Sequence, residues 1–380
     1  MIKSCISNSG PQNKSFLKKI TISGYKSFGT GSFAQTIDLS DINIIIGANG
    51  SGKSNFVSFF RMLNNMMTGA LQLYIGKNGT SENLLHFGAK NTPLIHASLE
   101  FENKTDTDIY DFSLVKAIND TLVFSEESIA WNGKKKPLAS GQSESYLISA
   151  GATEPGETVV KHILASCRAY QFHDTSDTAH IRNAANIDDN RSLKSDGGNI
   201  AAYLYMLKNK YRQYYDLIID KVRFVVPQFD DFILEPLMLN ENYIKLNWKE
   251  KGESEYLFGP EQLSDGSIRF IALAALFLQP PELLPNVLVI DEPELGLHPQ
   301  AIDALAAMMK SASLHSQIIA ATQSDRLLDS FVPEQILVAE HDPHNHCSIL
   351  KHLNTKDLRD WLEDYSLAQL WEKNVLGGQP

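Results

Sequence analysis

Hydrophobic and polar positions follow two different patterns on either side of residue 50. Residues 42–46 form a nearly continuous β-branched run, and apolar residues at helical spacing appear later at Phe56, Val57, Phe60 and Leu63. A short apolar run predicts a buried strand, whereas spacings of three and four predict an amphipathic helix. Small and polar residues, mostly glycine, serine and asparagine, lie between the two patterns. The sequence therefore predicts a strand, a loop and a helix in this order.

The same alternation returns in the C-terminal half. Apolar runs at 286–291, 317–322 and 335–339 predict buried strands, and residues 268–278 and 301–310 have the length and spacing of helices. Continuous apolar strands are typical of parallel sheets that are covered on both faces. Strands that alternate with helices of ten or more residues indicate the α/β class. We therefore predict a mixed sheet wound with helices.

Two further lobes are predicted between these halves. Residues 68–160 change to short strands with polar turns, which predicts an antiparallel β lobe, and residues 161–172 are predicted as a strand that returns to the central sheet. Residues 198–226 have the spacing of one or two amphipathic helices. Residues 232–258 alternate like a hairpin with its turn near Asn240–Asn242. This part of the chain is therefore predicted to be a helical lobe followed by a hairpin.

These elements are predicted to form a single, discontinuous domain. Residues 16–39 contain two β-type runs around a Gly/Ser-rich turn, and predict a hairpin that leads into the 42–46 strand. Trp361 and Trp371 are expected to pack the C-terminal helices down. The predicted parts are a core at 16–67 and 259–355, a β lobe at 68–172, a helical lobe with its hairpin at 173–258, and C-terminal helices at 356–380.

Composition narrows the class of protein. The chain has 380 residues, and 43% of them are apolar, which is enough for a substantial core. Its 45 acidic and 34 basic residues give a net charge of −11, which argues against a surface wrapped broadly in nucleic acid. A local basic face at Lys134–Lys136, or at Lys208, Lys210 and Arg212, would still leave DNA open as a partner.

Targeting and redox signals predict a cytoplasmic protein. No run of 18 apolar residues exists, so no membrane partner is predicted, and the first fifteen residues lack the apolar centre of a signal peptide. Cys5, Cys167 and Cys347 fit neither metal-ligand nor disulfide spacing. We predict that they are reduced thiols.

The loop after the predicted strand at 42–46 carries the pattern GxxxxGKS at Gly47–Ser54. Phosphates must come within hydrogen-bond reach of several consecutive backbone N–H groups, and only small residues let the chain approach that closely. The following helix N-terminus adds its positive end, Lys53 can reach the β- and γ-phosphates of ATP, and the Ser54 hydroxyl can ligate Mg²⁺. The predicted nucleotide-binding residues here are Asn49, Gly50, Ser51, Gly52, Lys53, Ser54 and Asn55.

A second motif, VLVIDEPELGLHP, occupies Val287–Pro299. Beside a phosphate loop, a carboxylate at the C-terminal tip of a buried strand is placed to hold Mg²⁺, which assigns Asp291 as a metal ligand. The neighbouring Glu292 can then orient or deprotonate the attacking water. Without the phosphate loop, an Asp-Glu pair after a strand would indicate only an ordinary turn.

The order of the motifs resembles ABC-type ATPases of the RecF, SMC and OLD group, and more narrowly their compact stand-alone predicted AAA family ATPases. The resemblance rests on Gly47–Ser54, LSDG at Leu263–Gly266, IDEPELGLHP, ATQSDRLLD from Ala321, and also FHDTS and LWEKNVLGG, and it runs from about Ile20 to the end. It implies a head-to-tail homodimer with ATP between the protomers. Ser264 and Gly266 would then contact the nucleotide of the opposite subunit.

Two positions depart from the wider ABC pattern. Asp265 and Ser267 occupy the third and fifth places of the transporter signature LSGGQ, which speaks against a transporter subunit. Gln323 stands where ABC ATPases usually carry histidine. Glutamine can hydrogen-bond the γ-phosphate or water but cannot take up a proton, so slow or regulated hydrolysis is expected. The resemblance also suggests Gln171 as the glutamine that senses Mg²⁺ and nucleotide, although a solvated strand-edge residue is the alternative.

Two motif-like stretches are set aside. LGGQ at 376–379 imitates a signature sequence, but no helix follows it. The cluster of His341, His344, His346 and Cys347 lies in HDPHNHC between two strand-like runs, and this context favours a polar turn over a metal site.

The leading functional hypothesis is an ATP-binding and hydrolysing dimeric switch that controls a partner effector. By resemblance, the effector would be a nuclease or toxin in bacterial defence against phage, which is an analogy at the level of fold. Two alternatives remain: a RecF-like DNA-binding repair or clamp ATPase, and a scaffold that binds ATP in order to dimerise without turning it over.

Overall fold

The computed structural model describes residues 16–102, 107–131, 133–149, 154–252, 256–353 and 355–378. The strands are β1 Phe16–Ser23, β2 Gln35–Asp38, β3 Ile42–Ile46, β4 Leu94–Glu102, β5 Thr107–Lys116, β6 Leu122–Trp131, β7 Lys134–Ala139, β8 Cys167–Tyr170, β9 Ala185–Asn186, β10 Phe229–Ile233, β11 Pro236–Leu237, β12 Asn240–Ile244, β13 Asn247–Glu250, β14 Val287–Asp291, β15 Gln317–Ala321, β16 Ile336–Asp342 and β17 Cys347–His352. The helices are α1 Lys53–Met67, α2 Leu71–Lys77, α3 Tyr146–Ser149, α4 Pro155–Ala165, α5 Ile200–Lys210, α6 Arg212–Val225, α7 Asp265–Phe277, α8 Pro299–Ala312, α9 Asp325–Leu328, α10 Thr355–Leu358 and α11 Leu367–Glu372.

A six-stranded sheet in the order β17-β16-β3-β15-β14-β8 forms the centre of the fold. Strands β16, β3, β15, β14 and β8 run parallel, and β17 pairs antiparallel with β16 at the edge. Every residue of β3, β14 and β15 is buried, as expected for parallel strands covered on both faces. The predicted α/β class with a mixed sheet wound with helices is confirmed.

The central sheet separates two hydrophobic cores. Ile44 and Ile46 of β3 point into a core that contains α5, α6, α7 and α8, whereas Ile45 points into a core shared with α1 and the antiparallel strands. Successive side chains in a strand point to opposite faces, so one short apolar run serves both cores. The loop after β3 is thereby fixed from both sides.

A second six-stranded sheet, in the order β2-β1-β4-β5-β6-β7, is antiparallel throughout. Strands β1 and β2 pair as the predicted hairpin, but β1 also pairs with β4, so the hairpin belongs to this sheet and not to the central core to which the sequence assigned it. The buried Gln317 side chain connects the sheets, because its Oε1 accepts from Leu17 N at 3.2 Å and its Nε2 donates to Leu17 O at 2.8 Å.

One strand prediction is corrected. Residues 161–165 belong to helix α4, and only Cys167–Tyr170 form the returning strand β8. Val160, Ile163 and Leu164 are buried at helical spacing, and Pro155 opens the helix at its first turn. The helical periodicity of this segment outweighs its β-branched residues.

The helical lobe consists of two helices, α5 and α6, separated by Tyr211. Beyond them, β11 and β12 form a hairpin whose turn is at residues 238–239, so Asn240–Asn242 lie in a strand and not in the predicted turn. At the C-terminal end, Trp371 is buried but Trp361 is 45% exposed. The prediction for Trp361 is wrong because this residue lies in a single 3₁₀ turn, where its ring contacts Tyr365 at a centroid distance of 5.9 Å.

Candidate functional site

The phosphate loop connects the buried strand β3 to helix α1, as the sequence predicted. Gly52 has φ +106°, and a Cβ there would lie 2.1 Å from Ser348 Oγ. Gly47 has φ +152°, and a Cβ would lie 2.3 Å from Ala339 O. Both glycines are therefore required by close approach of β16 and β17 as well as by backbone conformation. The strands beside β3 hold the loop from behind and leave its other side for a ligand.

Lys53 is turned back onto the loop. Its Nζ donates to Gly47 O at 2.6 Å and to Ala48 O at 2.9 Å. Burial lowers the pKa of Lys53, while the carboxylates of Glu292, Asp291 and Glu294 oppose this shift. A buried ammonium held only by carbonyl oxygens is placed to exchange them for phosphate oxygens.

Asp291 ends strand β14 beside helix α1. Its Oδ1 is buried and has no hydrogen-bond partner among the described residues. Burial raises the pKa of Asp291, and its interactions with His173, Arg61 and the Ser54 hydroxyl oppose that rise. A buried carboxylate oxygen without a partner, close to a serine hydroxyl, is a suitable pair of oxygen ligands for Mg²⁺.

Glu292, Gln323 and Glu294 form one hydrogen-bond network. Gln323 Nε2 donates to Glu292 Oε1 at 2.5 Å, and the Gln323 backbone N–H donates to Glu294 Oε1 at 2.9 Å. Glu292 has φ +44°, a conformation that costs energy for a residue other than glycine and is often found at functional sites. Its backbone N–H donates to Ala321 O at 2.8 Å, which holds it against the end of β15. The sequence missed Glu294, whose pKa is raised by burial.

Gln171 lies at the same end of the sheet. Its Oε1 accepts from Arg61 Nη2 at 2.8 Å, and its Nε2 is 3.0 Å from His173 Nδ1. His173 Nε2 is in turn 3.0 Å from Asp291 O. Gln171, Ser54, Asp291 and Glu292 all line one cavity of about 960 Å³. His173 and Arg61 had no assigned role in the sequence, although the motif FHDTS contains His173.

The signature loop caps helix α7. Ser264 Oγ accepts from Ser267 N at 3.1 Å, and Asp265 Oδ1 accepts from the buried Arg182 at 2.8 Å. A Cβ on Gly266 would lie 2.5 Å from Gly296 O, so glycine is needed where α7 meets the loop after β14. Neither Ser264 nor Gly266 is among the described residues that line the cavity at Ser54 and Asp291. Within this single chain, the structure therefore brings together the phosphate loop and the two acidic residues but leaves the signature loop apart.

Arg269 connects the signature helix α7 to the two loops beside it through hydrogen bonds to backbone carbonyls. This buried residue of α7 donates to Phe172 O at 2.8 Å and to His173 O at 3.1 Å, and it also bonds Leu295 O. One guanidinium thus connects the signature helix, the segment after Gln171 and the loop after Glu292. The sequence alone does not identify Arg269 as a connecting residue, because an arginine in an apolar helix does not indicate which backbone carbonyls it will contact.

The two stretches set aside in the sequence have structural roles. Residues 343–346 form the turn between β16 and β17, as predicted. Within the LGGQ stretch, Gly378 O accepts from the backbone N–H of Ala48 at the base of the phosphate loop, at 2.6 Å. The C-terminal segment therefore packs on the phosphate loop.

These residues fit Mg²⁺ and a nucleoside triphosphate. Ser54 and Asp291 would hold the metal, which would neutralise charge on the β- and γ-phosphates. Lys53 and the backbone N–H groups of the loop would bind the phosphates. The buried Ser51 Oγ and Asp291 Oδ1 lack hydrogen-bond partners among the described residues, as expected for groups that bind a ligand. Glu292, whose carboxylate accepts from Gln323, would hold the attacking water and accept its proton.

Asp291→Asn is expected to stabilise the folded protein while weakening Mg²⁺-dependent nucleotide binding. A raised pKa means that the ionised carboxylate is disfavoured in the folded state, so this cost is present above the folded pKa and disappears as the pH falls below the unfolded value. We expect a gain in the free energy of unfolding on the order of 1 kcal/mol at pH 7.5 and a smaller gain at pH 4, which is close to the unfolded pKa. Thermal melts at both pH values measure it, and an equal or lower melting temperature at pH 7.5 would contradict the buried-charge account.

The fold and the site together define a P-loop ATPase domain of the ABC type. Among solved structures, the chain is similar to an Smc head bound to the C-terminal winged-helix domain of ScpA, with 17% identity and a TM-score of 0.60 over 91% of this chain and 99% of that one. It is also similar to an Smc head domain with an extended coiled coil, bound to the C-terminal domain of ScpA from Pyrococcus furiosus, with 16% identity and a TM-score of 0.58 over 92% and 99%. At these identities the likeness shows the fold.

Sequence comparison places the chain in a family. The model of the family described as "AAA domain, putative AbiEii toxin, Type IV TA system" matches residues 42–329, which is more than half of the chain. The chain belongs to this family. No curated protein matches it in sequence.

In the part of the chain that the structure describes, no helix combines the length and hydropathy that a membrane span requires.

Proposed function

We propose that the protein is an ATP-binding and hydrolysing switch that acts as a homodimer. The observation that carries this proposal is the division of the site within one protomer. Lys53, Asp291 and Glu292 surround one ligand position, while Ser264 caps α7 outside the cavity. A second copy that offers its Ser264 and the N-terminus of α7 would complete the phosphate site with a hydroxyl, free N–H groups and a helix dipole.

The switch would control an effector on another chain. Two features support a protein partner. Met238 and Leu239 form the tip of the β11–β12 hairpin and are 98% and 102% exposed, an unusual position for two adjacent large apolar side chains. One similar Smc head was solved with a domain of ScpA bound to it. The family description names a putative toxin of a toxin–antitoxin system. By analogy at the level of fold, we propose that the effector is a nuclease or toxin in bacterial defence against phage.

This proposal is tested by affinity purification of the tagged protein from a native host in the presence of ATP. Wild type, Glu292→Gln and Lys53→Ala would be tagged and captured in parallel, because the first variant should hold the ATP-bound dimer and the second should not form it. An effector that is enriched with Glu292→Gln and depleted with Lys53→Ala supports the switch. Equal recovery of the same partner with both variants would contradict control by nucleotide.

A RecF-like DNA-binding ATPase is the second candidate. Positively charged side chains line the same cavity as Ser54 and Asp291, namely Lys26, Arg61, Lys77, Arg168 and Lys194. A clamp would retain DNA in a strongly salt-dependent way without an effector protein.

A further inference from the structure

The C-terminal segment, residues 366–378, contacts the surroundings of the site at both of its ends. At one end, Gly378 O accepts from the backbone N–H of Ala48 in the phosphate loop at 2.6 Å. At the other end, the Ser366 hydroxyl donates to the Asp329 carboxylate at 3.0 Å. Asp329 directly follows α9, a helix that begins two residues after the switch glutamine. One short segment therefore connects the phosphate loop with the helix after the switch residue.

The contact at the phosphate loop fixes a single peptide unit. The C=O of Gly47 and the N–H of Ala48 belong to this unit, and they form hydrogen bonds on opposite sides of it. The C=O accepts from Lys53 Nζ at 2.6 Å, and the N–H donates to Gly378 O. Because a trans peptide unit is planar, its two polar groups can only turn together. The C-terminal segment therefore sets the orientation of a carbonyl group that holds Lys53.

This contact requires glycine at the end of the segment. Gly378 has φ +76°, and a Cβ there would lie 2.8 Å from Val338 Cγ1 and 3.3 Å from Gly47 Cα. Gly377 also has a positive φ, of +79°, but a Cβ there would first meet the end of the flexible Glu340 side chain. Glycine is the residue that adopts this backbone conformation without strain and permits so close an approach. Of the two glycines, Gly378 is the one that packs against the phosphate loop itself.

The segment between its two ends is held in the hydrophobic core. Leu367, Leu370, Trp371 and Leu376 are all at most 8% exposed, and they belong to the same core as α7 and α8. Side chains in such a core are closely packed, so they resist small independent shifts. A displacement at one end of the segment is therefore transmitted to the other end.

We propose that the C-terminal segment positions the phosphate loop for ATP, and that its docking is coupled to nucleotide binding. The inference rests on the proposed function and adds a means of regulation to the same site. A loop that is already held in the orientation that binds Lys53 loses less freedom when phosphate binds. Coupling between two sites is reciprocal, so bound ATP tightens the docking of the segment by the same factor. The segment is then the part of the switch whose exposure depends on nucleotide.

Gly378→Ala tests the contact at the phosphate loop. The new Cβ is strained at positive φ and presses on Gly47, so Mg²⁺-ATP should bind about tenfold more weakly, as measured with a fluorescent ATP analogue. The matched control is Gly141→Ala, where φ is also positive at +86° but no atom lies within 4 Å of the new Cβ. The control should bind ATP within twofold of wild type. Equal affinities in wild type and Gly378→Ala would overturn the inference.

Asp329→Ala tests the opposite end of the segment. It removes the acceptor for the Ser366 hydroxyl and for the backbone N–H of Ala368, and it should weaken ATP binding about threefold or more. Asp329→Asn keeps an oxygen acceptor and should restore most of the affinity. In the double variant with Gly378→Ala the two losses should not multiply, because both changes act through one element. Losses that multiply would contradict transmission through the segment.

Limited trypsin cleavage after the exposed Lys373 measures docking without hydrolysis. Mg²⁺-ATP should slow this cleavage up to tenfold in wild type, because cleavage requires local opening of the segment. Gly378→Ala at saturating ATP should show no such protection, which separates docking from shielding in a dimer. Equal cleavage with and without ATP, in wild type that binds ATP, would overturn this inference alone. Absence of ATP binding by wild type would overturn the proposed function and the inference together.

Discussion

Glu292→Gln is expected to bind ATP and Mg²⁺ as well as wild type but to lose hydrolysis by about a hundredfold or more, the range typical for removing a general base. The structure indicates why binding should survive. In the variant, Gln323 Nε2 can still donate to the amide oxygen of the substituted side chain, and the residues that would hold Mg²⁺, Ser54 and Asp291, are unchanged. The variant should therefore accumulate as an ATP-bound dimer.

Phosphate release measures hydrolysis, nucleotide retention measures ATP binding, and light scattering measures the dimer. The control is Glu282→Gln, which removes an exposed carboxylate shortly before β14 and should leave all three unchanged. Unaltered turnover in Glu292→Gln would remove this residue from the mechanism and direct attention to Glu294, the other carboxylate bonded to Gln323. Loss of ATP binding would show that Glu292 stabilises bound ATP and not the transition state of hydrolysis.

Mixing Lys53→Ala with Ser264→Arg is expected to restore about a quarter of wild-type hydrolysis, although each variant alone should be nearly inactive. In the mixed dimer one site has both lesions, and the other combines an intact phosphate loop with an intact signature loop. Random pairing of equal amounts makes about half of the dimers mixed, each with one good site of two, if the sites act independently in a two-fold symmetric dimer.

The control mixture is Lys53→Ala with Glu292→Gln. Both lesions then lie on the phosphate-loop side, so no site is whole and activity should not return. Ser264 also caps α7 by accepting from Ser267 N, so the arginine variant is expected to lose about 1 kcal/mol of stability and its folding must be verified by its melting temperature. Recovery in both mixtures would contradict a trans role for Ser264. A single-chain tandem fusion with Ser264→Arg in one half keeps one intact site. Absence of hydrolysis in this fusion would contradict independent sites.

Much of this site was predictable because its residues are tied to local pattern. The glycines of Gly47–Ser54 are needed because their φ angles are positive, and their spacing is short enough to be recognised along the chain. Asp291 ends a strand whose other residues are apolar, and Glu292 follows it. Strand β15 separates this strand from β3, but the carboxyl ends of the parallel strands lie at the same edge of the sheet, which is where the α/β class places its ligands.

The rest depends on contacts that no local pattern records. Arg269 is recognised only when its carbonyl partners on Phe172 and Leu295 come together from distant segments. Residues 161–165 are misassigned from sequence because Val, Ile and Leu suit a strand or a helix, and only packing decides between them.

The strand order of the central sheet has a consequence for synthesis on the ribosome. Strand β3 lies between β15 and β16, and the Asn43 side chain reaches Ile318 O across 275 residues of sequence. The phosphate-loop strand is therefore made about 270 residues before either of its neighbours. Until then its isoleucines have no sheet to join, while the antiparallel strands can already pair locally. A nascent chain must therefore keep the isoleucines of β3 from aggregating while about 270 further residues are made, and chaperones that bind exposed apolar segments would favour its folding.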